Sequence, residues 1–382
     1  MRIAYVASPK IFSKGASAIE VLRMAEAIAR AGLDVELIVP CNFTPDGIYD
    51  YYGVEPIFRL KLLPQAPGLS LRHLVHAIAS ALYTARKKSN YDLVFSRNLL
   101  FAMLSARVLG LPTIYDAHHP PDSPASRSAL MLVKDSELLI KLVAISEGIG
   151  RVFLGLGLPG EKLTLAPNGV DVSRFSSLGK KEEARAGLGL PREGTIVSHI
   201  GNIYSGRGIE LLLDASRMFP KVLFLIVGGE ERDVARCKRL AERLGVSNVV
   251  FTGFIPPGKV VSYYAASDYL VLPYTTRMTT KWGRVEADFA SLLKLAEYMA
   301  SGKPIIATDI PAVRYALRDG FNSILVAPDS AEAIAKGIGR ALCDPALSAR
   351  IGEQARLDAA RFSLKQRVEK IFGNPTAQSK TS

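Results

Sequence analysis

Ser291-Leu-Leu-Lys-Leu-Ala-Glu-Tyr-Met-Ala-Ser-Gly-Lys-Pro-Ile-Ile-Ala-Thr-Asp-Ile-Pro311 reads as a helix that stops at Gly302 and feeds a buried strand. A Gly past the last helical turn, Pro304 just beyond it, and then Ile305-Ile306-Ala307 make a helix-stop, strand-start signature. Glu297 stands out in this small, apolar helix. A carboxylate there costs free energy unless it is exposed or holds a partner. A solvated helical acid and a ligand-holding acid are both open readings.

Outward from this stretch the same alternation recurs. On its N-terminal side come Thr195–Ile200, a helix near Gly208–Met218, Val222–Val227, a helix near Val234–Leu244, Val249–Thr252 and Asp268–Leu272. An earlier series runs through Arg2–Ala7, a helix near Ala18–Ala31, Asp34–Val39, a helix near Leu71–Lys87, Leu93–Ser96, a helix near Leu99–Leu109, Thr113–Tyr115 and Leu142–Ala144. Strands alternating with helices build parallel α/β sheets. Periodicity lapses at 167–181, where Pro167, Asn168 and Gly169 punctuate the chain, so a linker is expected there. The expectation is an α/β chain of two doubly wound, Rossmann-like domains facing across a cleft, residues 1–166 and 182–345. Ligands of such sheets bind beyond the carboxyl ends of the strands. The stretch Ala331–Phe372 reads as polar helix, and 374–382 as a disordered tail.

A chain of 382 residues exceeds what one core supports, which agrees with two domains. Apolar residues make up 48% without a run long enough to span a bilayer, and Met1–Val6 reads as a first strand, so a cytoplasmic protein is expected. Cys41, Cys237 and Cys343 lie far apart without CxxC spacing, which argues against a zinc site and a disulfide framework and reads them as buried small hydrophobes. The net charge of +12 points to anionic partners. From Arg59 to Lys88 there are six Lys or Arg and no acid, and Leu71, Leu74, Val75, Ile78 and Leu82 keep helical spacing. Two readings stand: a core-facing helix with a solvated basic edge, or a surface for a membrane or acceptor, with peripheral contact on the inner face of the membrane through 59–88. Nucleic acid is not expected, since no aromatic-basic motif accompanies the charge.

Gly201-Asn-Ile-Tyr-Ser-Gly-Arg-Gly208 links a strand to a helix, and such a turn offers backbone N–H groups to a phosphate. A P-loop needs Lys followed by Ser or Thr, where this chain has Arg207 and Gly208. A plain helix-entry turn and a diphosphate site remain. Tyr115-Asp-Ala-His-His-Pro-Pro-Asp122 puts two His and two Asp at a strand's carboxyl end. No distant Cys or His completes a ligand shell, so no metal is expected. The turn Ser13-Lys14-Gly15-Ala16-Ser17 follows the first strand, and its small residues let backbone approach a ligand.

The run "K-L-x-E-Y-M-A-x-G-K-P" resembles that of the retaining nucleotide-sugar glycosyltransferases of the GT-B fold, family 4 (group 1). The runs Ala144-Ile-Ser, Asn168-Gly-Val-Asp171, Gly228-Gly229 and Thr252-Gly-Phe-Ile255 match further landmarks of that family in the expected order. The resemblance implies transfer of a sugar from a nucleoside-diphosphate sugar to an alcohol with retention, on a glycan, polysaccharide or lipid-linked acceptor, without cofactor or divalent metal. Glu297 matches the residue holding the donor ribose, and Arg207 the cation that neutralises the leaving diphosphate. Gly206 and Gly229 belong to the loops around the donor. Phe254 and Ile255 match the backbone that receives the nucleobase. His118, with His119 second, matches the His beside the anomeric carbon, and Gly15 the loop over phosphate and acceptor. The N–H groups of Leu292 and Leu293 would face the diphosphate. The last helix, 346–373, would pack back on the N-terminal domain. Two departures stand out: Asn202 where many members carry Arg, leaving Lys294, Arg277 or Lys281 to supply a cation, and Phe289 in place of the first Glu of a Glu-x7-Glu pair, with Asp288 or Glu286 as register-shifted substitutes. A nucleotide-sugar 2-epimerase and a non-catalytic nucleotide-sugar-binding subunit are the alternatives.

Overall fold

The computed structural model describes residues 1–13, 15–41, 46–64, 69–176, 178–277 and 293–373. The chain divides into two compact units, Met1–Asn168 with the segment from Leu364 on, and Gly169–Ser363. Each is a doubly wound parallel sheet with helices on both faces.

In the first unit seven parallel strands, β1 (Arg2–Val6), β2 (Asp34–Pro40), β3 (Arg59–Leu63), β4 (Leu93–Ser96), β5 (Thr113–Ala117), β6 (Leu139–Ala144) and β7 (Leu163–Leu165), lie in the order β3-β2-β1-β4-β5-β6-β7. The order reverses between β1 and β4, where the loops diverge and leave a crevice. Successive β1 side chains serve opposite faces. Ile3 and Tyr5 pack with Leu22 and Ile28 of the helix Ala16–Arg30 and with Val368 and Ile371 of the helix Leu364–Phe372. Ala4 and Val6 pack with Ala77 and Phe101.

The second unit orders six parallel strands, β8 (Thr195–Ile200), β9 (Val222–Val227), β10 (Val249–Gly253), β11 (Tyr269–Leu272), β12 (Ile305–Thr308) and β13 (Ile324–Val326), as β10-β9-β8-β11-β12-β13. Its switch point lies between β8 and β11. The helix Leu293–Ala300 ends as the sequence predicts: Gly302 takes φ +68°, its N–H reaching Met299 O at 3.1 Å, and β12 follows. A side chain would be strained there.

Several elements differ from the sequence reading. Strand β3 is an edge strand whose Arg59 and Lys61 hide its alternation. The helices Pro124–Val133 and Glu147–Gly155 fall in stretches to which the sequence reading assigns no element. The segment Ala331–Phe372 is three helices, because Pro345 starts a new one behind Asp344, whose carboxylate accepts from Leu347 N at 2.9 Å. The second of these, Pro345–Ala359, lies in the second unit, and the chain enters the first unit again only at Leu364. Cys41 and Cys237 are buried as expected, but Cys343 is exposed at the end of its helix.

The core-facing reading of the stripe on the helix Leu69–Arg86 is corrected. Leu74, Val75, Ile78 and Leu82 are exposed, while His76, Ala77, Ser80 and Thr84 are buried. Small side chains let that face sit close to the sheet, and the His76 ring is satisfied by the Ser8 and Ser80 hydroxyls at 2.9 and 3.4 Å. Among the described residues no helix is long and apolar enough to cross a membrane.

Candidate functional site

At the second sheet's switch point, Gly201–Gly208 follows β8 and opens the helix Ile209–Ser216. The turn admits few alternatives. Gly208 caps the helix at φ +69°, and a methyl group on it would lie 1.7 Å from Pro273 O. Gly206 also has positive φ, and its carbonyl accepts from Thr275 N and Oγ1 at 3.2 and 3.1 Å. These bonds tie the turn to the segment after β11. Arg207 is only 7% exposed, its guanidinium stacked 4.7 Å from the Tyr204 ring centroid and 5.0 Å from that of Tyr274. It also donates to the Tyr204 hydroxyl. Two ring faces hold a planar cation in place, an arrangement a flexible ammonium would not reproduce.

Glu297 is 3% exposed, so it is not a solvated helical acid. Its Oε2 accepts from Tyr264 Oη at 3.0 Å and from Lys294 Nζ at 2.6 Å. One turn of helix brings the partly exposed Lys294 over it. Next to Glu297, Tyr298 accepts from Ile200 N at 2.7 Å, fastening this helix to the end of β8. Between them lies His199, buried, with Nδ1 3.1 Å from Val271 O and Nε2 3.3 Å from Asn202 O. Burial, reinforced by the positive charges of Arg207 and Lys294, pushes its pKa down to about 4 against the pull of the two carbonyls. A neutral His199 therefore supports the loop. The sequence reading overlooked it, although a His inside the apolar run Thr195–Ile200 was the signal.

Gly228 and Gly229 follow β9 at φ +113° and +95°, and added side chains would strike Gly201 O at 2.3 Å and Ile203 at 2.4 Å. The loop after β8 is thus pressed against the end of β9. Gly228 N donates to Gly253 O at 3.0 Å, which brings Phe254 and Ile255 beside the same edge, with Ile255 packed on the core. Asn202 is exposed there, as is Arg277 beyond β11. Leu293 begins the described part of the Glu297 helix. Leu292, Phe289, Asp288, Glu286 and Lys281 lie outside the described residues.

In the first unit, His118 follows β5 and lies at the edge of a charged cluster from five segments. Its Nε2 faces Asp116 Oδ2 at 2.9 Å and its Nδ1 lies 3.6 Å from Glu20 Oε2. Glu20 accepts from Arg97 Nη2 at 3.1 Å and from Asn168 Nδ2 at 3.0 Å. Asp116 accepts from Arg367 Nη2 at 2.6 Å, and Arg367 also donates to the carbonyls of Ala166 and Pro167. Two carboxylates and two guanidiniums balance with His118 neutral. Burial and the nearby Arg97 accordingly lower the His118 pKa, and Arg367 and His118 hold Asp116 far below the usual carboxylate range despite its burial. A neutral His118 that donates through Nε2 to Asp116 keeps Nδ1 as an acceptor. His119 is exposed. Gly15 is exposed at the start of its helix with φ −87°, and an added Cβ would meet only Ser13 Oγ at 3.6 Å, so neither conformation nor space demands glycine there.

The sequence reading missed Glu20, Arg97 and Arg367. Arg367 had a signal, because it shares a helical face with Leu364, Val368 and Ile371, and a charge on an apolar face needs a buried partner.

The family profile described as Glycosyl transferases group 1 matches residues 180–358, and that of Glycosyltransferase Family 4 matches residues 18–174. A D-inositol 3-phosphate glycosyltransferase of Actinosynnema mirum is 24% identical over 94% of this chain and 91% of its own. Among solved structures, a glycosyltransferase of Rickettsia africae superposes with a TM-score of 0.76 at 18% identity over the full length of both chains. The Anabaena protein HepE, crystallised with UDP-glucose, gives 0.71 at 19% identity over 98% of this chain and 99% of its own.

Proposed function

The chain belongs to the group 1, family 4 glycosyltransferases of the GT-B fold, enzymes of the EC 2.4 class, and from that premise we propose that it transfers a sugar from a nucleoside-diphosphate sugar to an alcohol acceptor with retention of configuration. The observation that carries the reading is the switch point of the second unit. There a glycine turn, the ring-caged Arg207 and Lys294 gather positive charge at a loop whose own histidine is kept neutral. A diphosphate is the ligand such a site suits, and fixed cations that need no reorganisation stabilise it best as it leaves. That HepE holds UDP-glucose, and that the inositol phosphate glycosyltransferases act in the same reaction class, support the same donor type.

In this reading Arg207 and Lys294 bear the departing diphosphate without a metal, and Leu292 and Leu293 add backbone N–H groups. Glu297, oriented by Tyr264, takes the ribose hydroxyls, while the backbone of Phe254 and Ile255 takes the base. His118, held by Asp116, bonds the transferred sugar beside its anomeric carbon. The leaving phosphate accepts the acceptor's proton on the same face, so no hydrolase-type carboxylate pair is required. A glycan or lipid-linked alcohol is the acceptor class.

Thermal shift against UDP, GDP, ADP and their sugars, followed by transfer assays with the stabilising donor, tests this. Arg207→Ala and His118→Ala should each lower kcat/KM by roughly 10²- to 10³-fold. Near-parental turnover in both, or no diphosphate that stabilises the protein, would refute the proposal.

A further inference from the structure

One side of the first-unit sheet carries, beside the helix Glu147–Gly155, three helices each packed on the next: Leu69–Arg86, Leu99–Leu104 continued by Ser105–Leu109, and Pro124–Val133. None of the three contains an Asp or Glu, whereas Ala16–Arg30 and Leu364–Phe372 on the opposite side carry Glu20, Glu26 and Glu369. These three helices also turn large apolar side chains outward. Leu74, Ile78 and Leu82 are 42%, 47% and 60% exposed along one stripe, with Val108, Met131 and Leu132 exposed on the neighbouring helices. Arg72 and Arg86 flank that stripe, and Arg107 and Arg127 are exposed on the other two helices. Arg59 and Lys87 are partly neutralised by Asp34 and Glu36 of β2, but among the described residues Arg72 has no ion pair and its buried Nε no hydrogen-bond partner.

We propose that this helical face docks the enzyme on an anionic lipid bilayer. Apolar side chains in a row, flanked by cations on helices without acids, suit the boundary between lipid headgroups and acyl chains. There the apolar side chains leave water while the guanidiniums meet lipid phosphates. A second copy of the chain fits poorly, because a two-fold contact through this face would set cation against cation. Each basic residue near the surface strengthens the attraction, which salt screens.

Co-sedimentation of the purified full chain with phosphatidylcholine vesicles, with and without about one-third phosphatidylglycerol, tests this alongside the double variant Ile78→Glu/Leu82→Glu. The parent should partition onto anionic vesicles roughly tenfold better than onto neutral ones, and less so as salt rises. The double variant, altered only at exposed positions, should lose roughly tenfold in partitioning with parental thermal stability. Three results overturn the proposal: no binding to anionic vesicles at low salt, equal binding by the double variant, or a parent that is dimeric by light scattering while the variant is monomeric and neither binds vesicles. Donor binding is measured separately, so failure here leaves the glycosyltransferase reading intact.

Discussion

Replacing Arg367 with Met isolates what the buried charge cluster of the first unit contributes. Arg367 is 5% and Asp116 2% exposed, and their 2.6 Å contact is joined by the Arg367 bonds to Ala166 and Pro167 carbonyls. Methionine fills similar volume but leaves the Asp116 carboxylate buried with only His118 as a bonded partner. Removing one member of such a pair costs about 3–5 kcal/mol, because the remaining charge stays out of water. Asp116→Asn alone leaves Arg367 bonded to two carbonyls, so its cost should be smaller, and the double variant should recover about 1–3 kcal/mol relative to the sum of the two. Asp116 has a depressed pKa in the folded state. Its contribution is therefore present above the unfolded value of about 3.9 and lost as pH falls below it. Urea unfolding followed by circular dichroism at pH 7.5 and pH 5.5 should then give the same coupling at both values. A loss below about 1 kcal/mol for Arg367→Met, or strict additivity, would refute the reasoning.

Three further outcomes follow from particular residues. His76 and His199 are both held near pKa 4 against an ordinary 6.5, so the unfolded chain binds protons that the folded chain refuses; stability present above pH 6.5 should fall by about 2 kcal/mol per histidine by pH 5, and a flat urea midpoint from pH 7.5 to 5 would contradict this. Gly208→Ala forces a side chain at φ +69° into Pro273 O, so it should lower the melting temperature and abolish nucleoside-diphosphate stabilisation, and a parental melting temperature would show that the turn has room. Gly15→Ala should leave thermal stability within about 0.5 kcal/mol of the parent, so a loss of turnover there, read as kcat against KM, would report close approach of substrate to that backbone and not folding.

Elements that depend on neighbours along the chain were legible in the amino-acid sequence. Leu93–Ser96, Thr195–Ile200 and Val222–Val227 have the expected bounds, because a strand buried on both faces is a short apolar run whatever surrounds it. Gly302 stopped the helix and Pro304 led into the next strand by backbone chemistry alone. The edge strand Arg59–Leu63 was hidden because one side of it faces solvent and carries charge.

Glycine placement, helix stops and the family landmarks are thus properties of the sequence itself, since they rest on dihedral preferences and local periodicity. Which side of the helix Leu69–Arg86 meets the sheet, what holds Glu297, and that Asp116 finds Arg367 at a separation of 251 residues were decided only by tertiary structure. A stripe of apolar residues marks a face but not what covers it, and a buried charge needs a partner that local spacing does not name. Both are settled by packing, where desolvation and Coulomb attraction act between segments distant along the chain.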